Sequence, residues 1–310
     1  LTPGTLAIVQ AAITHQGSGW DFTIDELKRY YERVAARVHS SEIMEATVGE
    51  QPPPFFAALE SWYLTSATTL GRRTAELHLT LAQGVDPAFV PEPLDAAAAD
   101  ALASEMETHA GAALELLQSR VDTLTGAART DADAVLGSRD RLLAIPGDVR
   151  RLVRAGQRIR IHGDYHLGQV LRTEEDFVIL DFEGEPARTQ AERRAKYSPL
   201  KDVAGMVRSF SYAAYAALFA FSVHAPDDAG ALEPWADTWR YWATEAFVAG
   251  YRAAIGSAEL VPAGEDFARL LRAFAVEKAL YELGYELNNR PEWTRIPLTG
   301  ILKLLSQAGE

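Results

Sequence analysis

The chain has 310 residues, 48% of them hydrophobic and 24% charged, which fits a compact soluble protein with one large or two modest cores. Thirty Lys and Arg against forty-three Asp and Glu give a formal net charge of −13, which argues against an unspecific grip on nucleic acid or anionic lipid. Cysteine is absent, so disulfides and thiolate zinc sites are excluded.

The chain opens on Leu1 and an apolar, strand-like run, "TLAIVQAAI", whose natural partners would be other strands. No basic region followed by an apolar run precedes it, so no export signal is read and the cytoplasm is the expected compartment. "THQGSGWD" reads as a polar connector; it lacks the lysine that would follow in a Walker phosphate loop. A helix is expected from about Asp25, with Leu27, Tyr30, Tyr31 and Val34 at helical spacing. After "GEQPPPF", a long amphipathic segment runs from Phe55 to about Ala82, with Leu59, Trp62, Tyr63, Leu70 and Leu77 assigned to its apolar side. Beyond the proline-rich "GVDPAFVPEPLD", a third helix is expected at about Ala96–Leu124 and a fourth at about Asp131–Val153, interrupted near Pro146.

The periodicity then changes. Arg158–Ile161, Gln169–Arg172 and Phe177–Asp181 read as short strands, the last two joined by "TEED". Helices resume at about Leu200–Val223, Pro234–Ile255, Glu265–Asn288 and Leu298–Ser306. The most apolar long stretch, Phe210–Val223, is shorter than the roughly 20 residues that span a bilayer and is expected in a core helix.

Two apolar runs end on or near aspartates, and a carboxylate at the end of a buried strand is costly unless paired, hydrogen-bonded or holding a metal. In "HGDYHLGQ", Asp164 and Gln169 share one loop, and Asp181 ends the following strand. This H-x-D-x4-[N/Q] spacing with a later D-F is the arrangement of protein-kinase-like phosphotransferases. Phosphoryl transfer asks mainly for positioning and charge neutralisation, which carboxylates and amide oxygens around magnesium supply. Gln169 stands where most such enzymes have Asn, with the same carbonyl on a longer stem. Glu183 would share the face of Asp181 if the strand continued, with a structural hydrogen bond favoured over a ligand role. His162 and His166 read as loop supports rather than a metal pair. Asp202 has the bland reading of a favourable charge at a helix start. Arg193, Arg194 and Lys196 read as a solvated loop.

"HGDYHLGQVL", "ILDFEGEP", "SPLKDVAGMVRSF" and "LGRRTAELHLTLA" together resemble the maltokinases of the aminoglycoside-phosphotransferase-like group, and the similarity extends over essentially the whole chain. The resemblance implies an α+β fold, a protein-kinase-like C-terminal lobe that is predominantly α-helical with a small catalytic β-hairpin and most of the N-lobe missing. Residues 1–22 would be a hinge strand and linker from that lobe. Residues 23–310 would be the C-terminal lobe, helical over 23–155 and 187–310, with the catalytic β element at 156–186. The implied reaction moves the ATP γ-phosphoryl group to the anomeric hydroxyl of maltose, giving maltose 1-phosphate. Asp164 would be the catalytic base, Gln169 and Asp181 the Mg2+ ligands, and His162 and Asp202 supports of the catalytic loop.

Lys278, Tyr281 and Tyr285 fall at i, i+3 and i+7 along one helical stripe. Spacing alone describes a core helix; the resemblance makes the three substrate residues. It also implies ATP and maltose as partners, and trehalose synthase as a further one, since such kinases are sometimes fused to it; nucleic acid and membrane are not expected partners. A fusion, a truncated gene or a trimmed polypeptide would each account for the missing start, and this polypeptide alone is expected to bind ATP poorly. Two other functions stand beside this one: a kinase for another small alcohol, such as an aminoglycoside or different sugar, and a non-catalytic glycan-binding or docking module.

Overall fold

The structure, a computed structural model, describes residues 12–37, 51–186, 188–223 and 229–306. Most of the proposed hinge strand, residues 1–11, therefore lies outside the described residues.

Helix α1 (Gly19–Ala35) begins earlier than the expected Asp25, because the Ser18 hydroxyl accepts from the Asp21 N–H and caps the first turn. "QGSGWD" is thus half connector and half helix start. Thr23, Leu27, Tyr30, Tyr31 and Val34 form the buried stripe of α1. Both tyrosine hydroxyls find backbone acceptors, Tyr30 on Trp235 at 3.1 Å and Tyr31 on Ala214 at 2.8 Å. Helix α2 (Pro54–Leu81) buries Phe56, Tyr63 and Leu70, while Trp62 sits on its outer side, 38% exposed, contrary to the expectation.

Strand β1 (Glu92–Pro93) precedes α3 (Ala96–Arg120), capped by Asp95. The expected fourth helix is two, α4 (Gly126–Gly137) and α5 (Arg139–Val149), broken at Ser138. Pro146 lies inside α5 and does not interrupt it there. Strand β2 (Gln157–Arg158) pairs antiparallel with β1, a partner the sequence reading did not supply. The expected strand to Ile161 shrinks to this pair plus one bridge between Ile159 and Tyr197. Strands β3 (Val170–Arg172) and β4 (Phe177–Ile179) form the expected hairpin. Ahead of α1, Gln16 donates to the Arg172 carbonyl at 2.7 Å and Arg172 to that of Gly17 at 3.0 Å, so the chain entering α1 lines the free edge of β3. Arg73 of α2 clamps Asp176 in the hairpin turn, with Nε to Oδ1 at 2.8 Å.

A short helix not expected from the sequence, α6 (Gln190–Arg194), is closed by a capping box between Thr189 and Glu192. Helices α7 (Leu200–Ser222), α8 (Ala229–Ile255), α9 (Gly264–Asn289) and α10 (Arg295–Ser306) follow. Helix α7 is buried on almost every side and packs against α1, α8, α9 and α10. Its apolar run is a core helix, and among the described residues no helix is long and apolar enough to cross a membrane.

Candidate functional site

The loop from Ile161 to Gln169 is held from below by α7. Asp202 accepts the N–H groups of His162 at 2.8 Å and Gly163 at 2.9 Å, while its Oδ2 meets His78 Nε2 at 3.1 Å. The His78 Nδ1 in turn faces the Tyr251 hydroxyl at 3.0 Å, tying the loop through one carboxylate to α2 and α8. Burial pushes the Asp202 carboxyl up, but the His78 hydrogen bond and the Gly163 N–H outweigh it and hold it below the usual range. The Tyr165 hydroxyl meets Thr74 at 2.9 Å, and Leu167 N–H donates to Ser209 at 3.1 Å.

His162 joins this loop to the hairpin. Its Nδ1 accepts the Asp164 N–H at 3.3 Å, so the proton sits on Nε2, which donates to the Leu180 carbonyl at 2.7 Å. Gly163 and Gly184, both at positive φ, let the two loops touch: a Cβ on Gly163 would stand 3.6 Å from the Gly184 Cα. Asp181 has φ 60°, the one non-glycine residue in the left-handed region among the described residues. That turn ends β4 two residues before the expected Asp181 and is a strained conformation that a small polar side chain tolerates. It brings the Asp181 carboxylate to the Gln169 amide, Nε2 to Oδ2 at 3.2 Å.

Asp164 points into a cavity of about 590 Å³ between the loop, α3, α6 and α9, a size that suits a small polar ligand. Lys278 Nζ lies 3.9 Å from Asp164 Oδ1 and 3.9 Å from Glu185 Oε2, and 4.8 Å from the centre of the Tyr281 ring. Tyr281 and Tyr285 stand at the rim, 39% and 49% exposed. Burial, with Glu185 beside it, pushes the Tyr281 hydroxyl up to about 12. His166 Nε2 approaches Asp164 Oδ2 at 3.9 Å, and burial keeps its imidazole below the usual range against the pull of Asp164.

The structure thus brings Asp164 together with Lys278, Tyr281 and Tyr285, and Gln169 with Asp181. Glu183 turns away toward Arg193, carboxylate to guanidinium at 3.8 Å. Lys196 is spent on the Pro87 and Val90 carbonyls and Glu92 at 2.7–2.8 Å, and Arg194 faces solvent. Among the pocket residues that were not singled out from the sequence are Glu185, Arg188, Lys201, His109 and Glu277. Glu185 stood in the quoted "DFEGEP" and Glu277 next to Lys278, but nothing in one sequence marks either as facing a cavity.

No family model matches the chain. A glucosamine kinase of Streptacidiphilus jiangxiensis is 24% identical over 307 residues, covering 98% of this chain and 59% of the relative. A glucosamine kinase of Mycolicibacterium smegmatis is 31% identical over 248 residues, covering 78% of this chain and 54% of the relative. The chain therefore spans somewhat more than half the length of these curated relatives. A solved glucosamine kinase in complex with glucosamine, ADP and inorganic phosphate superposes with a TM-score of 0.69 at 23% identity, covering 94% of this chain and 62% of that one. A second crystal form gives 0.67 at 24% identity, over 93% and 56%. The fold is shared with these kinases. The acceptor in their names is glucosamine, and maltose has no counterpart among them.

Proposed function

We propose that the chain carries the acceptor pocket and the transfer loop of an ATP-dependent sugar phosphotransferase. The observation that supports this most is the half-buried Asp164, on a loop fixed by Asp202 and His162, opening into a cavity with an ammonium at 3.9 Å and two tyrosines at its rim. In this reading Asp164 accepts the proton of the sugar hydroxyl as it attacks, and the pinned loop sets the angle of attack. Lys278 offers a donor to the acceptor oxygens, and Tyr281 and Tyr285 present ring faces and hydroxyls to the sugar. The Gln169 amide and the Asp181 carboxylate are adjacent, at present nitrogen to oxygen; with the amide turned to offer its oxygen, the pair has the hard-oxygen chemistry that fits Mg2+ and would hold it. When bound, the ion supplies charge neutralisation for the phosphoryl group.

Lys201, Lys278 and Arg188 line the same cavity as its acids, which favours a sugar of low charge over a polycationic aminoglycoside. Glucosamine, carried by the names of the relatives, and maltose, implied by the sequence blocks, are the two acceptors to set against each other. The test is ADP release with glucosamine, glucose, maltose and an aminoglycoside as acceptors. At least one sugar should stimulate release, and Asp164→Asn should lower that rate by about 10²–10⁴-fold while the melting temperature is retained. In a version restored to the full length of the relatives, release that no sugar stimulates, or that survives Asp164→Asn, would overturn the reading; a non-catalytic module would give the first result.

A further inference from the structure

Beneath the rim, the pocket has an ionic floor that the transfer chemistry does not use. Glu277, with 11% of its side chain exposed, accepts from His109 Nδ1 at 3.0 Å. Lys201 projects from the first turn of α7 with its ammonium 3.7 Å from the centre of the Tyr197 ring, and makes neither a hydrogen bond nor an ion pair through Nζ among the described residues. Burial holds Lys201 below the ordinary lysine range, with Glu277 the foremost charge opposing that. Glu277 is pushed up by burial, but the His109 hydrogen bond and the Lys201 charge outweigh this and keep it ionised. Lys201 lines the cavity, so an ammonium with no acceptor from the described residues takes its acceptors from whatever fills that space, water or a ligand.

Glu105, His109 and Glu277 also come within 4.8 Å of one another, which suggests a metal. Arg188 lies 3.8 Å from Glu105, Lys201 lines the same cavity, and the His109 Nδ1 is already taken by Glu277. A dication would enter a site whose carboxylates already have partners.

We infer that Lys201 and Glu277, which line the same cavity, form a hydroxyl clamp that grips the uncharged polyol end of the acceptor remote from the reacting oxygen and so decides which sugars fit. Sugar hydroxyls satisfy both groups, accepting from Lys201 and donating to Glu277. The inference rests on the phosphotransfer reading, because that reading makes Asp164 the reacting end of the same cavity.

Lys201→Met keeps the apolar stem and removes the donor; Glu277→Gln keeps the shape and removes the charge. In the full chain, with saturating ATP, each variant should raise the acceptor KM at least threefold while kcat stays within threefold. In the absence of nucleotide, the dissociation constant for glucose, glucosamine or maltose, whichever the wild type binds tightest by protein-observed NMR, should rise by at least the same factor. A change below threefold in both measurements, in a variant whose melt shows a folded protein, overturns the clamp. If Lys201→Met does not fold, Glu277→Gln carries the test. If the wild type restored to the full length of the relatives phosphorylates no sugar, the phosphotransfer reading falls, and the binding measurement alone decides the clamp: sugar binding that the variants weaken supports it, and absent or unchanged binding overturns it.

Discussion

Glu60 is a carboxylic acid with no water to ionise into. It is fully buried in α2, its Oε2 accepts the Trp239 indole N–H at 3.1 Å, and its Oε1 has no hydrogen-bond partner. Burial raises its pKa to about 7, with the Trp239 hydrogen bond acting in the opposite direction. The native state therefore holds a proton that the unfolded chain releases near 4.5. A folded-state pKa above the unfolded one contributes stability that is fully present below pH 4.5 and is lost as the pH rises through about 7. At most this is about 3 kcal/mol between the two limits. Glu60→Gln removes the titration and keeps an oxygen for Trp239. Urea unfolding at pH 5 and pH 8 should show the wild type losing more stability across that interval than the variant, and equal losses would rule the assignment out. Nothing in the sequence betrays this residue, since a single glutamate on a long amphipathic helix reads as solvated until the facing helix is known.

At the scale of elements, the pairing of α2 with α8 depends on two glycines that let backbone meet backbone. A Cβ on Gly250 would stand 2.2 Å from the Thr68 carbonyl oxygen, and one on Gly71 would stand 2.0 Å from that of Phe247. Neither contact is the end of a flexible side chain, so relief requires the helices to part. Gly250→Ala gains about 1 kcal/mol in helix propensity and should still destabilise the fold by about 2 kcal/mol or more, because overpacking at a backbone contact dominates. Gly111, in the middle of α3 with nothing within 4 Å of its would-be Cβ, is the control: Gly111→Ala should stabilise by about 0.5–1 kcal/mol. Denaturation midpoints moving in opposite directions would confirm the contrast. The helices themselves were legible, since α7, α8, α9 and α10 follow from apolar periodicity to within a few residues at most ends. What was not legible depends on a partner or on one backbone angle. Strand β1 exists only because β2 lies beside it, and the break between α4 and α5 follows the conformation of Ser138 rather than the proline.

At the scale of the molecule, the pieces of the site differ in how far apart they lie in sequence, and that decides what could be read. Asp164, Gln169 and Asp181 belong to one loop and one hairpin, so local spacing brought them into a single reading; Lys278 reaches Asp164 from α9, and only resemblance suggested that meeting. The contact that fixes the arrangement is Asp202, and its bland reading as a helix-start charge understates its contacts. This one carboxylate satisfies two N–H groups of the Ile161–Gln169 loop and one ring nitrogen of His78, which in turn meets Tyr251, so α2, α7, α8 and the loop share a single acceptor. Asp202→Asn keeps one oxygen and puts an NH2 donor where a second acceptor is required, leaving a loop N–H or the His78 nitrogen without its partner. Hydrogen bonds to a charged group are worth about 1.5–3 kcal/mol each, so the variant should lose about 3 kcal/mol of stability. It should also lose turnover, because Gly163 and Asp164 are released together. Asp164→Asn is the comparison that separates scaffold from chemistry: it should lower turnover at nearly unchanged stability, whereas Asp202→Asn should lower both. If Asp202→Asn melts like the wild type, the loop is held by His162, Tyr165 and Leu167 without it, and the central place given to this carboxylate is wrong.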